Sequence, residues 1–172
     1  MLASKEYNVI FDPKECIGLV KDPNTIEALD KRWFGRKEDD KLILSIEELS
    51  YLLLKGAIKV LDDGEISDLE TLMSKHYECF KTMFWPKLVV YNDLRSRGRR
   101  VKILSDRVFI VKHKDGSLKM VVVLEEKRLV KAEDIYKYVK QARSNGLGLV
   151  LALVSLQGDL TYYEVIDIEL GK

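Results

Sequence analysis

The chain is poor in the residues that build metal and cofactor sites by motif. Its two cysteines, Cys16 and Cys79, form no Cys-x-x-Cys pair. That excludes the usual zinc pattern and argues against a disulfide framework. A reducing, cytoplasmic setting is then the default expectation. The only histidines are His76 and His113. A general acid needs partners within hydrogen-bond reach, so His113 reads as a surface side chain at a strand end and His76 as one along a helix side. The longest nearly apolar run, Leu147 to Leu156, is too short to span a bilayer, and Met1 to Glu6 lacks the apolar stretch of a signal peptide. No membrane partner is expected, and no metal or cofactor. Internal repeats and low-complexity stretches are absent. Neither sign of charge dominates: 29 basic face 28 acidic side chains, so global charge points to no class of partner.

The distribution of charge is more informative. Residues 1–86 carry 17 acidic and 12 basic side chains, and residues 87–172 carry 11 and 17. An acidic front and a basic back suggest two modules, the second better suited to meet phosphate. With 47% hydrophobic residues the chain can bury a core. Val9, Ile10 and Phe11 read as a strand closed by Asp12 and Pro13. Residues 26–34 read as a helix with Ile26, Leu29 and Trp33 on one face, and Arg36 to Asp40 as a charged loop. Ser45 and Glu48 form a capping box ahead of Ile46, Leu49, Leu52 and Leu53, and Gly56 marks the stop. A strand at residues 58–61 and a turn at 62–64 follow, then a second capping box from Ser67 and Glu70. Pro86 suits the first position of a new helix and is the candidate boundary between a domain at 1–85 and one at 86–172. Beyond Gly98 the period changes to two. Strands are expected at 101–104, 108–112 and 118–124, a helix at 131–144, a buried strand at 149–154 and a last strand at 160–168. The expected class is α+β: a small N-terminal mixed α/β domain, then a C-terminal α/β nuclease-like domain whose central mixed sheet is flanked by helices.

Three stretches carry a resemblance. Residues 44–56 run from the Ser45/Glu48 box to Gly56. Residues 89–102 hold Tyr91, Leu94, Arg95, Arg97 and Gly98 in a Tyr-x-x-Leu-Arg-x-Arg-Gly spacing. Residues 151–154 and 158–165 form the last hairpin, with Gly158, Asp159, Tyr162 and Tyr163. In order and spacing these resemble the archaeal tRNA-splicing endonuclease family over roughly residues 42–166. The resemblance implies metal-free cleavage of RNA at bulge-helix-bulge sites by a Tyr, a His and a Lys. Carried over one at a time, the Tyr position falls on Lys112, the His position on Gly116 or Ser117, and the Lys position on Leu147. The catalytic groups are missing at all three. The chain therefore resembles the structural subunit of the two-chain members, which assembles with a related catalytic subunit, two of each, and meets precursor tRNA through the complex. Its expected contributions are the last hairpin loop (Gln157, Gly158 and Asp159) and the final strand, with Ile166, Ile168 and Leu170 along one side.

Two features allow other readings. Arg97, Arg99, Arg100 and Lys102 open a basic stretch that could face RNA or a partner, which also suits a stand-alone RNA-binding scaffold. Asp115, Glu125 and Lys127 fit the Asp…Glu-x-Lys pattern of metal-dependent nucleases, where two carboxylates hold a cation and the lysine steadies the attacked phosphate. The pattern is short, and an Asp beside Gly116 is the usual occupant of a turn.

Overall fold

A computed structural model describes residues 6–166. The chain forms two compact units, one up to Asn92 and one from Asp93 onward. In the first, β1 (Tyr7–Asp12) and β2 (Ile17–Val20) form an antiparallel pair. α1 (Pro23–Lys31), β3 (Arg36–Glu38), β4 (Lys41–Leu44), α2 (Ile46–Leu54), β5 (Ile58–Leu61), β6 (Glu65–Ile66) and α3 (Leu69–Lys75) follow. The six strands lie in the order β3-β4-β2-β1-β5-β6, with β1 and β5 parallel.

Helix α2 is built as its capping box dictates. Ser45 Oγ accepts from Glu48 N, and Glu48 Oε2 accepts from Ser45 N. The second carboxylate oxygen of Glu48 accepts from Gly35 N at 2.8 Å, so one side chain caps a helix and pins a loop 13 residues away. Gly18 allows α2 to lie close on β2, because a Cβ there would stand 2.5 Å from Leu49 Cδ1. Below α2, Glu47 is buried and meets Lys87 at 2.6 Å.

Several expectations need correction here. The helix at 26–34 begins earlier, where Asp22 caps Thr25 N ahead of Pro23, and Trp33 lies beyond it at positive φ. The charged loop at 36–40 is partly strand, because β3 pairs with β4. The second helix cap is Asp68, whose carboxylate accepts from Thr71 N and Thr71 Oγ1, so the Ser67 box does not form. Cys16 and Cys79 form a disulfide, with Cα atoms 5.4 Å apart and 63 residues between them in sequence. It ties the β1–β2 turn to the short 3₁₀ helix Tyr77–Phe80. The lack of a local cysteine pair said nothing about this bridge, because the fold supplies the proximity.

Helix α4 (Phe84–Ser96) carries the chain from one unit to the next, with Pro86 at its third position. The units divide inside it, after Asn92. The second unit contains β7 (Arg100–Ile103), β8 (Val108–Lys112), β9 (Leu118–Glu125), α5 (Ala132–Ser144), β10 (Gly148–Val154) and β11 (Leu160–Val165). Its sheet runs β11-β10-β9-β8-β7. Only β9 and β10 are parallel among these neighbours, and α5 makes the crossover between them. The expected mixed sheet is therefore what forms. Ala142, Tyr138 and Val139 of α5 pack on Val108, Met120, Val122 and Leu149. The opposite face buries Phe109, Val111, Val121, Val123 and Ala152. No helix among the described residues is long and apolar enough to cross a membrane.

Candidate functional site

Strand register decides which side chains of the second unit meet. Arg100 pairs with Lys112, Lys112 with Leu118, and Gly148 with Lys119. Lys112, the turn at Gly116 and Ser117, and Leu147 therefore lie at one end of the sheet. Neighbouring strands stand about 4.8 Å apart, which puts Lys112 and Leu147 about 10 Å apart across the sheet. Arg100 and Lys112 also line one shallow hollow with Gly98, His113, Lys114 and Gly116. Leu147 lines a different hollow, of about 360 Å³, with Val139, Ala142, Arg143 and Val165.

The basic stretch does not stay together. Side chains alternate between the faces of a sheet, so Arg100 and Lys102 stand on the α5 side, in register with Lys112 and Ile110. Arg97 leaves the end of α4 and clamps both oxygens of Asp93, at 2.9 and 3.1 Å. Arg99 turns to the other face, following Gly98 at φ +76°. There it lines a recess of about 320 Å³ with His113, Lys119, Tyr162 and Glu164 over Leu94, Val111, Val121 and Val150. Lys119 Nζ meets Glu164 at 2.7 Å, which holds the Glu164 carboxyl below its usual range. The Tyr162 hydroxyl donates to Asp93 at 2.7 Å. Burial, then that hydrogen bond, pushes its phenol upward. His113 is half-buried. Desolvation first, then the charges of Arg99 and Lys119, lower its imidazole, against a smaller opposing pull from Asp115 and Glu164. Burial thus disfavours the charged ring first, and the two cations beside it add to the effect.

The last hairpin loop is braced from within. Ser155 Oγ accepts from Gln157 N and Asp159 N, and Gly158 takes φ +89°. Leu156 N donates to Glu126 Oε2 at 3.1 Å, from the far end of β9. The exposed Asp159 carboxylate thus has a second acid at its base, which sequence reading missed because Glu126 lies 30 residues away. Among the described residues, strand β11 beyond it is a sheet edge with Tyr163 54% exposed, and Ile166, just past the strand's end, is 75% exposed. Ile168 and Leu170 lie outside the described residues.

The metal-nuclease pattern is pulled apart. Asp115 sits in the β8–β9 turn, accepting from Ser117 N and Oγ, whereas Glu125 ends β9 and pairs with Arg128 at 2.8 Å. Seven residues of extended strand separate these ends by about 23 Å, too far to share one cation.

Comparison with known proteins agrees with this architecture. Residues 10–73 match the tRNA intron endonuclease N-terminal domain, and residues 84–162 match the tRNA intron endonuclease catalytic C-terminal domain. The chain is 33% identical over 150 residues to a tRNA-splicing endonuclease of Thermococcus kodakarensis, covering 84% of this chain and 89% of that protein. It is 36% identical to the one of Pyrococcus horikoshii (81% and 84% covered) and 37% identical to that of Pyrococcus furiosus (78% and 81%).

Proposed function

The chain belongs to the tRNA-splicing endonuclease family, and on that premise we propose that it is a structural subunit. It assembles with a related catalytic chain, two of each, and orients that chain at the bulge-helix-bulge introns of precursor tRNA. In this reaction a ribose 2′-hydroxyl attacks its own phosphate, leaving a 2′,3′-cyclic phosphate and a free 5′-hydroxyl. The chemistry needs a base for the attacking hydroxyl, an acid for the leaving oxygen, and a cation on the crowded phosphate.

One observation carries the reading. The positions that the resemblance assigns to these tasks gather at one end of the sheet, and they hold Lys112, Gly116 or Ser117, and Leu147. Glycine and leucine move no proton, and Lys112 has no phenol to serve as the family's tyrosine would. The surfaces left to do work are the edge of β11 and the acidic loop tip at Asp159. An edge strand carrying Tyr163, with Ile166 just past it, calls for a covering strand, and an exposed carboxylate on a braced loop suits a basic pocket on a neighbouring subunit. The proposed setting is the cytoplasm.

The test is a cleavage assay on a bulge-helix-bulge RNA. The chain alone should be silent with or without magnesium, and adding a catalytic partner should yield both splice-site cuts. Cleavage by the chain alone would end the proposal. In the same assay Asp159→Ala should weaken assembly while the thermal midpoint stays put. Assembly at wild-type strength would remove the loop from the interface.

A further inference from the structure

We propose that the recess between Arg99, His113, Lys119 and Tyr162 binds a phosphate group carried by a ligand the size of a mononucleotide. It shares His113 with the hollow beside Lys112 and Gly116, but Lys112 and Leu147 lie toward the α5 face of the sheet. The recess opens on the other face, through Val111, Lys119, Val121 and Val150.

Charge bookkeeping across its walls points to an anion. Asp93 is engaged by Arg97 and Tyr162, and Glu164 by Lys119. The Arg99 guanidinium has no ion pair and no side-chain hydrogen bond among the described residues, although the residue is partly buried. Its charge is felt by Asp115 as well as by His113, but its planar fork of donors stays open, the geometry that meets phosphate through two parallel bonds. His113 stands in the field of Arg99 and Lys119, and an arriving dianion relieves that repulsion and favours the protonated, donating ring. Leu94, Val111, Val121 and Val150 give an apolar floor. A bare ion leaves that floor and most of the 320 Å³ empty, whereas a base or ribose can cover it.

The experiment is titration of the full chain at low salt, read by calorimetry and by the ring signals of His113. The probes are inorganic phosphate and adenosine monophosphate. The nucleotide should bind at least about ten-fold more tightly than phosphate, a difference of about 1.4 kcal/mol, and both should move the His113 signals. Arg99→Gln should weaken both by about ten-fold, Arg99→Lys should restore part, and Lys127→Gln, on an exposed turn at the far end of β9, should change nothing. A pH series with sulfate, whose own charge stays fixed, adds an independent readout. Arg99 and Lys119 act on His113 as cations and Asp115 and Glu164 as carboxylates; Arg100, Lys112 and Lys114 share the neighbouring hollow with it, and Arg97 and Tyr162 line the recess. Sulfate affinity should rise several-fold from about pH 8 to about pH 6 as His113 takes its proton, and His113→Gln should flatten that rise. His113 signals that stay still at millimolar ligand, a nucleotide that binds no better than phosphate, or an Arg99→Gln variant of unchanged melting point and unchanged affinity would each overturn the proposal.

Discussion

The two units put their charged groups to opposite uses. In the first, carboxylates work inside the fold: Glu48 caps α2 and pins Gly35, Glu47 is buried against Lys87, and Asp62 receives both Lys75 and His76. A disulfide closes the same unit. In the second, charges collect at the rims of the sheet, in a recess on one face, a basic row on the other, and a loop tip carrying Asp159. A charge satisfied by an internal partner adds order but has nothing left for a ligand, whereas a partly satisfied charge at a surface is available for one. The first unit therefore reads as the scaffold and the second as the place of contact.

That contrast can be broken in three ways, from the largest effect down. Cys79→Ser releases a loop of more than 60 residues and should cost roughly 4 kcal/mol by the chain-entropy relation. Thermal unfolding should show the loss, and amide exchange should show it concentrated in the first unit. Equal loss of protection in both units would erase the distinction. Lys87→Met leaves Glu47 buried without its cation and should cost about 3 kcal/mol, measured by urea unfolding. A cost below about 0.5 kcal/mol would mean that the pair behaves as a surface pair.

The smallest effect belongs to the second unit. Tyr162→Phe removes a donor from Asp93, which keeps Arg97, and should cost about 1 kcal/mol. The same change has a pH signature. The folded state raises the phenol above its ordinary value of 10.0. Its stabilising contribution is thus complete below pH 10 and is lost as the pH rises beyond it, because the unfolded chain gives up that proton first. Stability measured from about pH 9 upward should fall less steeply in the Phe variant than in the wild type. Identical alkaline slopes would show that Tyr162 is not held by Asp93 in solution.

Elements with local signals were legible in the sequence. Helix α2 carries its start in Ser45 and Glu48 and its stop in Gly56, and α5 ends at Asn145 and Gly146 as expected. Strand β2 was missed because Ile17–Val20 is only four residues long with a glycine inside it. Its reason for being a strand is the pair of partners, β1 and β4, that flank it. The Ser67 cap was misplaced by one residue because Asp68 competes for the same backbone donors with a charged acceptor. In the candidate site, the basic residues and the Asp159 loop were visible as composition. Their division between two faces, the recess around His113 and the Glu126 brace were not.

By itself the sequence determined two modules, the order of most of their elements, and the family. Those follow from capping, periodicity and turn chemistry, which act over a few residues and leave a mark in the local pattern. Only the tertiary structure decided that Cys16 meets Cys79, that Tyr162 reaches Asp93 across 69 residues, and that Arg99 and Arg100, neighbours in the chain, face opposite sides of a sheet. Such contacts depend on strand order and register, which the whole hydrophobic pattern selects together and no short segment specifies alone.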